Sequence, residues 1–201
     1  MIDDPFRKIL PKYTKFIIGF YQGLGLTPNQ ITLIGLAISM VSAFLVARGD
    51  FLEGLVVWWV GRLADGTDGI YARQTGQATP FGAYLDIVCD MLSYSMMILG
   101  FAKAHPDVDF FWQLILVLYI LCITSALALG SIEEKTSLPT RDNRGLRLGA
   151  GLAEGGETGI AYSLFLLFPQ FIRPLVLVWV AILITTVVAR SLLARRICAQ
   201  S

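Results

Sequence analysis

Three stretches of the chain, 31–47, 110–130 and 175–189, run without a single charged side chain. A helix that is apolar around its whole circumference must be buried in a large protein or surrounded by lipid. A chain of 201 residues has no core large enough to hide three such helices, so the solvent for them is a bilayer. The composition agrees: 55% of the residues are hydrophobic and 15% are charged, where ordinary globular chains carry about a quarter.

Three further segments read as spans of less pure character. Residues 51–73 begin apolar (FLEGLVVWWV) and end charged, residues 81–102 carry two aspartates, and residues 158–172 are short and bounded by charge and by Pro174. The expected fold class is therefore an all-α integral membrane protein with six transmembrane helices, preceded by an amphipathic N-terminal interfacial helix. In that reading residues 1–201 form a single membrane domain, with 1–23 as the interfacial helix and 24–201 as the six-helix bundle. Ile2, Phe6, Ile9, Leu10, Tyr13, Phe16, Ile17 and Phe20 recur at helical spacing between Arg7, Lys8, Lys12 and Lys15. That pattern suits a helix lying among anionic headgroups and kinked at Pro11. The first residues, MIDDPFRKIL, place acids ahead of any apolar run and do not read as a cleavable signal peptide.

The basic residues set the expected orientation. Arg7, Lys8, Lys12, Lys15, Arg62, Arg73, Lys135, Arg141, Arg144, Arg147, Arg190, Arg195 and Arg196 fall on one side of a six-span arrangement, leaving Arg48, Lys103 and Arg173 for the other. By the positive-inside rule both termini then face the cytoplasm of a bacterial or archaeal-type membrane. The net charge of +1 gives no reason to expect a nucleic-acid partner. Cys89, Cys122 and Cys198 lie too far apart for a metal or redox motif and read as small apolar fillers, and one histidine, His105, leaves no histidine-based triad.

Within this apolar chain the acids stand out. Asp65, Asp68, Gly69, Ala72 and Arg73 are linked by spacings of three or four residues and share a stripe on a helix, as do Gly82, Asp86 and Asp90. Gly76 and Pro80 between them permit a tight turn, so two antiparallel helices could face their stripes toward each other. Four converging carboxylates repel unless a cation or protons intervene, and hard oxygen donors favour Mg2+, with Mn2+ or Ca2+ as alternatives. Asp86 and Asp90 run straight into MLSYSMMILG, and acids at membrane depth are costly and usually functional. The site is expected on the cytoplasmic edge of the bilayer.

The stretch DGTDGIYAR, Asp65 to Arg73, followed after eight residues by GAYLDIVCD, Gly82 to Asp90, resembles the signature of the CDP-alcohol phosphotransferases, with every fixed position present. The resemblance implies metal ligation by Asp65, Asp68 and Asp86, and Asp90 as general base and second-metal ligand. It also implies CDP contacts from Gly69 and Arg73, a hydroxyl contact from Thr79, and a cytidine pocket lined by Asn29 through Thr32 in TPNQITL. That last segment reads equally well as a plain helix start with Pro28 in the first turn.

The implied reaction joins a substituted phosphate from a CDP-linked donor to an alcohol and releases CMP, with Mg2+ as cofactor or Mn2+ in its place. CDP-diacylglycerol is the expected donor, another CDP-alcohol the alternative, and the family usually forms homodimers. Arg141, Arg144, Arg147 and Arg190 could hold an alcohol phosphate, or could serve only as positive-inside charges, while Glu154 and Glu157 could favour an amine-bearing acceptor. Two other classes fit parts of the pattern. An aspartate-rich prenyltransferase needs more spans and a different spacing, and a divalent-metal transporter needs acids along a path through the bilayer rather than at one face.

Overall fold

The computed structural model describes residues 16–135 and 155–199, apart from the side chains of 133–135, and every regular element among them is helical. Helical residues 16–23 form the end of α1, followed by α2 (Pro28–Arg48), α3 (Phe51–Gln74), α4 (Pro80–Ala104), α5 (Asp109–Lys135), α6 (Gly155–Leu167) and α7 (Ile172–Cys198). Five of the six apolar runs each lie within a single helix. Four helical stretches, Pro28–Arg48, Pro80–Ala104, Pro106–Ile132 and Pro169–Cys198, are long and apolar enough to cross a membrane. Large apolar side chains such as Phe44, Phe110, Ile120 and Val178 point outward, as lipid-facing positions require.

The helix ends follow local chemistry. Thr27 caps α2 in a reciprocal box: its hydroxyl accepts from the Gln30 N–H at 3.4 Å, and its own N–H donates to Gln30 Oε1 at 2.9 Å. Pro28 occupies the first turn, where its missing N–H costs nothing. Gly49 ends α2 with φ at 88°, a left-handed residue that lets the chain reverse into α3. Gly76 (φ 68°) makes the corresponding turn between α3 and α4, and the Thr79 hydroxyl caps α4 by accepting from Gly82 N–H at 3.0 Å. The run at 158–172 is broken in two: α6 stops at Leu167, Pro169 opens a single 3-10 turn, and Ile172 begins α7.

The packing around α2 decides where the site lies. Both α3 and α4 pack chiefly on α2 rather than on each other, so the expected face-to-face meeting of the two aspartate stripes occurs across a gap that α2 props open. Small residues allow this close approach. A Cβ on Gly61 would lie 2.7 Å from Ser39 Oγ, and one on Gly100 would lie 2.5 Å from the backbone oxygen of Ala43. Because that oxygen belongs to a helix backbone and cannot turn aside, Gly100→Ala should cost about 1–3 kcal/mol, read as a lowered unfolding temperature in detergent. An unchanged midpoint would show that α2 and α4 can move apart freely.

Below the gap lies an aromatic core of Trp58, Tyr94, Phe101, Trp112, Tyr162 and Phe165, joined across helices by hydrogen bonds. Tyr119 and Tyr162 share one at 2.8 Å, Trp179 Nε1 donates to the Tyr119 hydroxyl at 3.1 Å, and the Tyr162 hydroxyl donates to the Tyr94 carbonyl at 2.9 Å. His105 stacks on Phe51 with ring centroids 5.4 Å apart at the far end of α4, a structural position. No cysteine forms a disulfide among the described residues; Cys89 and Cys122 are buried as fillers, but Cys198 is exposed. Residues 1–15 lie outside the described residues, so only the end of the expected N-terminal helix is seen. There Ile18 is buried against Ile31 and Tyr71, while Phe16 and Phe20 are exposed.

Candidate active site

Three of the four motif aspartates come together. Asp65 on α3 and Asp86 and Asp90 on α4 each offer a carboxylate oxygen, and these oxygens all lie within 4.8 Å of one another. Helical spacing puts Asp86 and Asp90 on one face of α4, and the turn at Gly76 brings that face opposite Asp65. A hard divalent cation fits such a donor set.

Asp68 is placed differently. It is buried, and its two oxygens are engaged: Oδ2 accepts a short hydrogen bond from the Thr32 hydroxyl on α2, and Oδ1 accepts from the Gly69 N–H at 2.5 Å. Thr32 thus meets the motif through Asp68. Its neighbour Asn29 reaches the start of α4, where Asn29 Oδ1 and Thr79 Oγ1 would each lie 3.2 Å from a Cβ on Gly82. Asn29, Thr79 and Gly82 therefore lie together, one helical turn before Asp86. Arg73 is exposed and folds its guanidinium back over Gly69, with Nη1 3.3 Å from where a Cβ there would stand.

The arginines expected to hold an acceptor divide. Arg141, Arg144 and Arg147, with Glu154, lie outside the described residues. Arg190 is buried between α7 and α5, where Nη1 donates to the Cys122 carbonyl at 2.8 Å. Glu157 lies beside a cavity of about 270 Å³ between α6 and α7, lined otherwise by apolar groups such as Ile160, Leu164, Val178 and Trp179.

The residue that sequence reasoning passed over is Arg62, counted there only as a charge beside a loop. Its side chain is 8% exposed, and Nη1 contacts Asp65 Oδ2 at 3.1 Å, Asp90 Oδ1 at 2.5 Å and the Tyr94 hydroxyl at 3.2 Å. The guanidinium carbon stands 4.9 Å from the Trp58 ring centroid and 5.2 Å from that of Tyr94. The signal in the sequence was Trp58, Arg62 and Asp65 at helical steps, which puts an aromatic ring and a carboxylate on either side of the cation.

With this geometry in place, comparison with known proteins decides the family, because residues 25–188 match the CDP-alcohol phosphatidyltransferases. The chain belongs to that family. It is accordingly a metal-binding membrane transferase of phospholipid biosynthesis, and the resemblance carried by Asp65 to Asp90 is confirmed. Among relatives, the inner membrane protein YnjF of Escherichia coli is 34% identical over 73% of this chain and 72% of its own length. The phosphatidylinositol phosphate synthase of Mycobacterium marinum is 31% identical over 67% of this chain, an alignment that spans 55% of that synthase. The Mycobacterium tuberculosis synthase of the same name, solved with CDP-DAG bound, has the same fold, with a TM-score of 0.67 at 23% identity over 91% of this chain and 94% of that one. The same synthase in complex with manganese and citrate gives 0.64 at 25% identity over 90% and 88%.

Proposed function

We propose that this transferase moves a phosphatidyl group from CDP-diacylglycerol to the hydroxyl of an anionic alcohol phosphate, releasing CMP. The observation that carries the reading is the convergence of Asp65, Asp86 and Asp90 one helical turn from the group of Asn29, Thr79 and Gly82. That arrangement suits a nucleotide at that group and a diphosphate at the carboxylates. It is supported by one relative that has been solved both with CDP-DAG and with manganese.

Asp65, Asp86 and Asp90 would hold Mg2+, which when bound neutralises the diphosphate and stabilises the departing CMP. Asp68, held by Thr32 and the Gly69 N–H, ties α3 to α2 and stands ready as a further ligand. Gly69, lacking a side chain, lets the Arg73 guanidinium lie close over α3, from where it would meet a phosphate oxygen. Asn29 and Thr79 face the cytidine. Asp90 takes the proton of the acceptor hydroxyl as the new oxygen–phosphorus bond forms and the bond to CMP breaks, the electron pair leaving with CMP. All six helices from α2 to α7 cross the bilayer in this reading, with both termini and the site at the cytoplasmic face, the 1–23 helix in the headgroup layer, and two copies forming a homodimer.

An anionic acceptor suits Arg141, Arg144, Arg147 and Arg190, and the relatives' names point to inositol phosphate. CMP release by purified protein with CDP-diacylglycerol and Mg2+, offered inositol phosphate, glycerol phosphate, serine or choline in turn, tests it. Turnover is expected with one of the two phosphates. Turnover with serine or choline alone would assign the acceptor to the amine-bearing class instead.

A further inference from the structure

We propose that Arg62 is a positioning residue for Asp90 and a fixed cation that limits how tightly the carboxylate cluster holds divalent metal. This rests on the reading of Asp65, Asp86 and Asp90 as metal ligands. Three facts carry it. The Arg62 side chain is nearly buried, and one nitrogen, Nη1, touches two of the three clustered carboxylates at once. Its guanidinium is held between Trp58 on its own helix and Tyr94 on α4, and the Tyr94 backbone is tied to α6 by the Tyr162 hydroxyl. The cation is thus locked by three helices rather than free to turn out to water, as a long basic side chain at a span end usually does.

Two consequences follow from that position. A unit positive charge in contact with two ligand carboxylates opposes the entry of another cation to the same oxygens, and in this partly desolvated place the opposition is only weakly screened. Arg62 also engages Oδ1 of Asp90 alone. Among the described residues Oδ2 has no donor, so the carboxylate plane is fixed with one oxygen held and the other presented to the gap. Tight metal binding is given up in exchange for an oriented base, which suits a site that must let CMP leave with its phosphate.

The test uses full-length protein in lipid nanodiscs, with Mn2+ binding followed by the loss of the free ion's magnetic resonance signal. Arg62→Gln is expected to bind Mn2+ about tenfold more tightly than the unaltered protein, because the repulsion is gone. At saturating metal its kcat for CMP release should fall about a hundredfold, while KM for CDP-diacylglycerol changes less than about threefold. Arg62→Lys, which restores the charge without the planar fork, should return Mn2+ affinity to within about threefold of normal but recover only part of kcat.

A general loss of structure would weaken metal binding, so the sign of the change separates the two explanations. Unchanged or weaker Mn2+ binding by Arg62→Gln overturns the proposal. If that variant does not fold, Tyr94→Phe decides: a kcat lowered several-fold with Mn2+ affinity unchanged supports it, and an unchanged kcat overturns it. Failure of the unaltered protein to bind Mn2+ would instead overturn the metal reading itself, and this proposal with it.

Discussion

Asp90→Asn should slow CMP release by about two to four orders of magnitude, the usual contribution of a positioned general base. The amide keeps the shape of the carboxylate but cannot take the acceptor's proton at neutral pH. Two members of the cluster, Asp65 and Asp86, remain to hold metal and diphosphate, so CDP-diacylglycerol should still bind. The measurement is a pair: donor binding on the purified variant, and single-turnover release of CMP at saturating Mg2+ and acceptor. Retained turnover within about tenfold of normal would remove Asp90 from the base role.

Asp86→Ala should act on binding instead. Asp65 and Asp90 are both bridged by Arg62, whereas Asp86 makes no ion pair among the described residues and has its charge to give to a metal. Removing it should weaken Mn2+ binding on the order of 100-fold, at least as much as losing an outer partner of a metal ligand typically costs. The diphosphate donor should weaken in step, because the cation is what joins it to the carboxylates. Metal titration in the presence and absence of CDP-diacylglycerol checks both. Unchanged metal affinity would exclude Asp86 from ligation.

What the sequence made legible were features governed by neighbours along the chain. Thr27, Pro28 and Gln30 announce the start of α2, Gly76 and Pro80 the turn between α3 and α4, and the spacing of Asp86 and Asp90 their shared face. What it hid depended on contacts between distant segments. Asp68 reads as the equal of Asp65, yet Thr32, thirty-six residues earlier, draws it toward α2. Arg62 sits near a loop in the sequence, where a basic residue reads as a topological marker. Only the approach of Tyr94 and Asp90 from α4 turns it inward. The gap between α3 and α4 was equally hidden, because it is set by how closely each can approach α2 through Gly61 and Gly100.

The central claim is that these carboxylates hold a divalent cation on the diphosphate of a CDP-linked lipid. The most direct measurement is CMP release from CDP-diacylglycerol by purified protein stripped with EDTA, before and after Mg2+ is restored, with inositol phosphate and glycerol phosphate present. The account predicts no release without metal, full release on restoring it, and none from Asp86→Ala under the same conditions. Release that persists in EDTA, or that Asp86→Ala sustains at the normal rate, would contradict it.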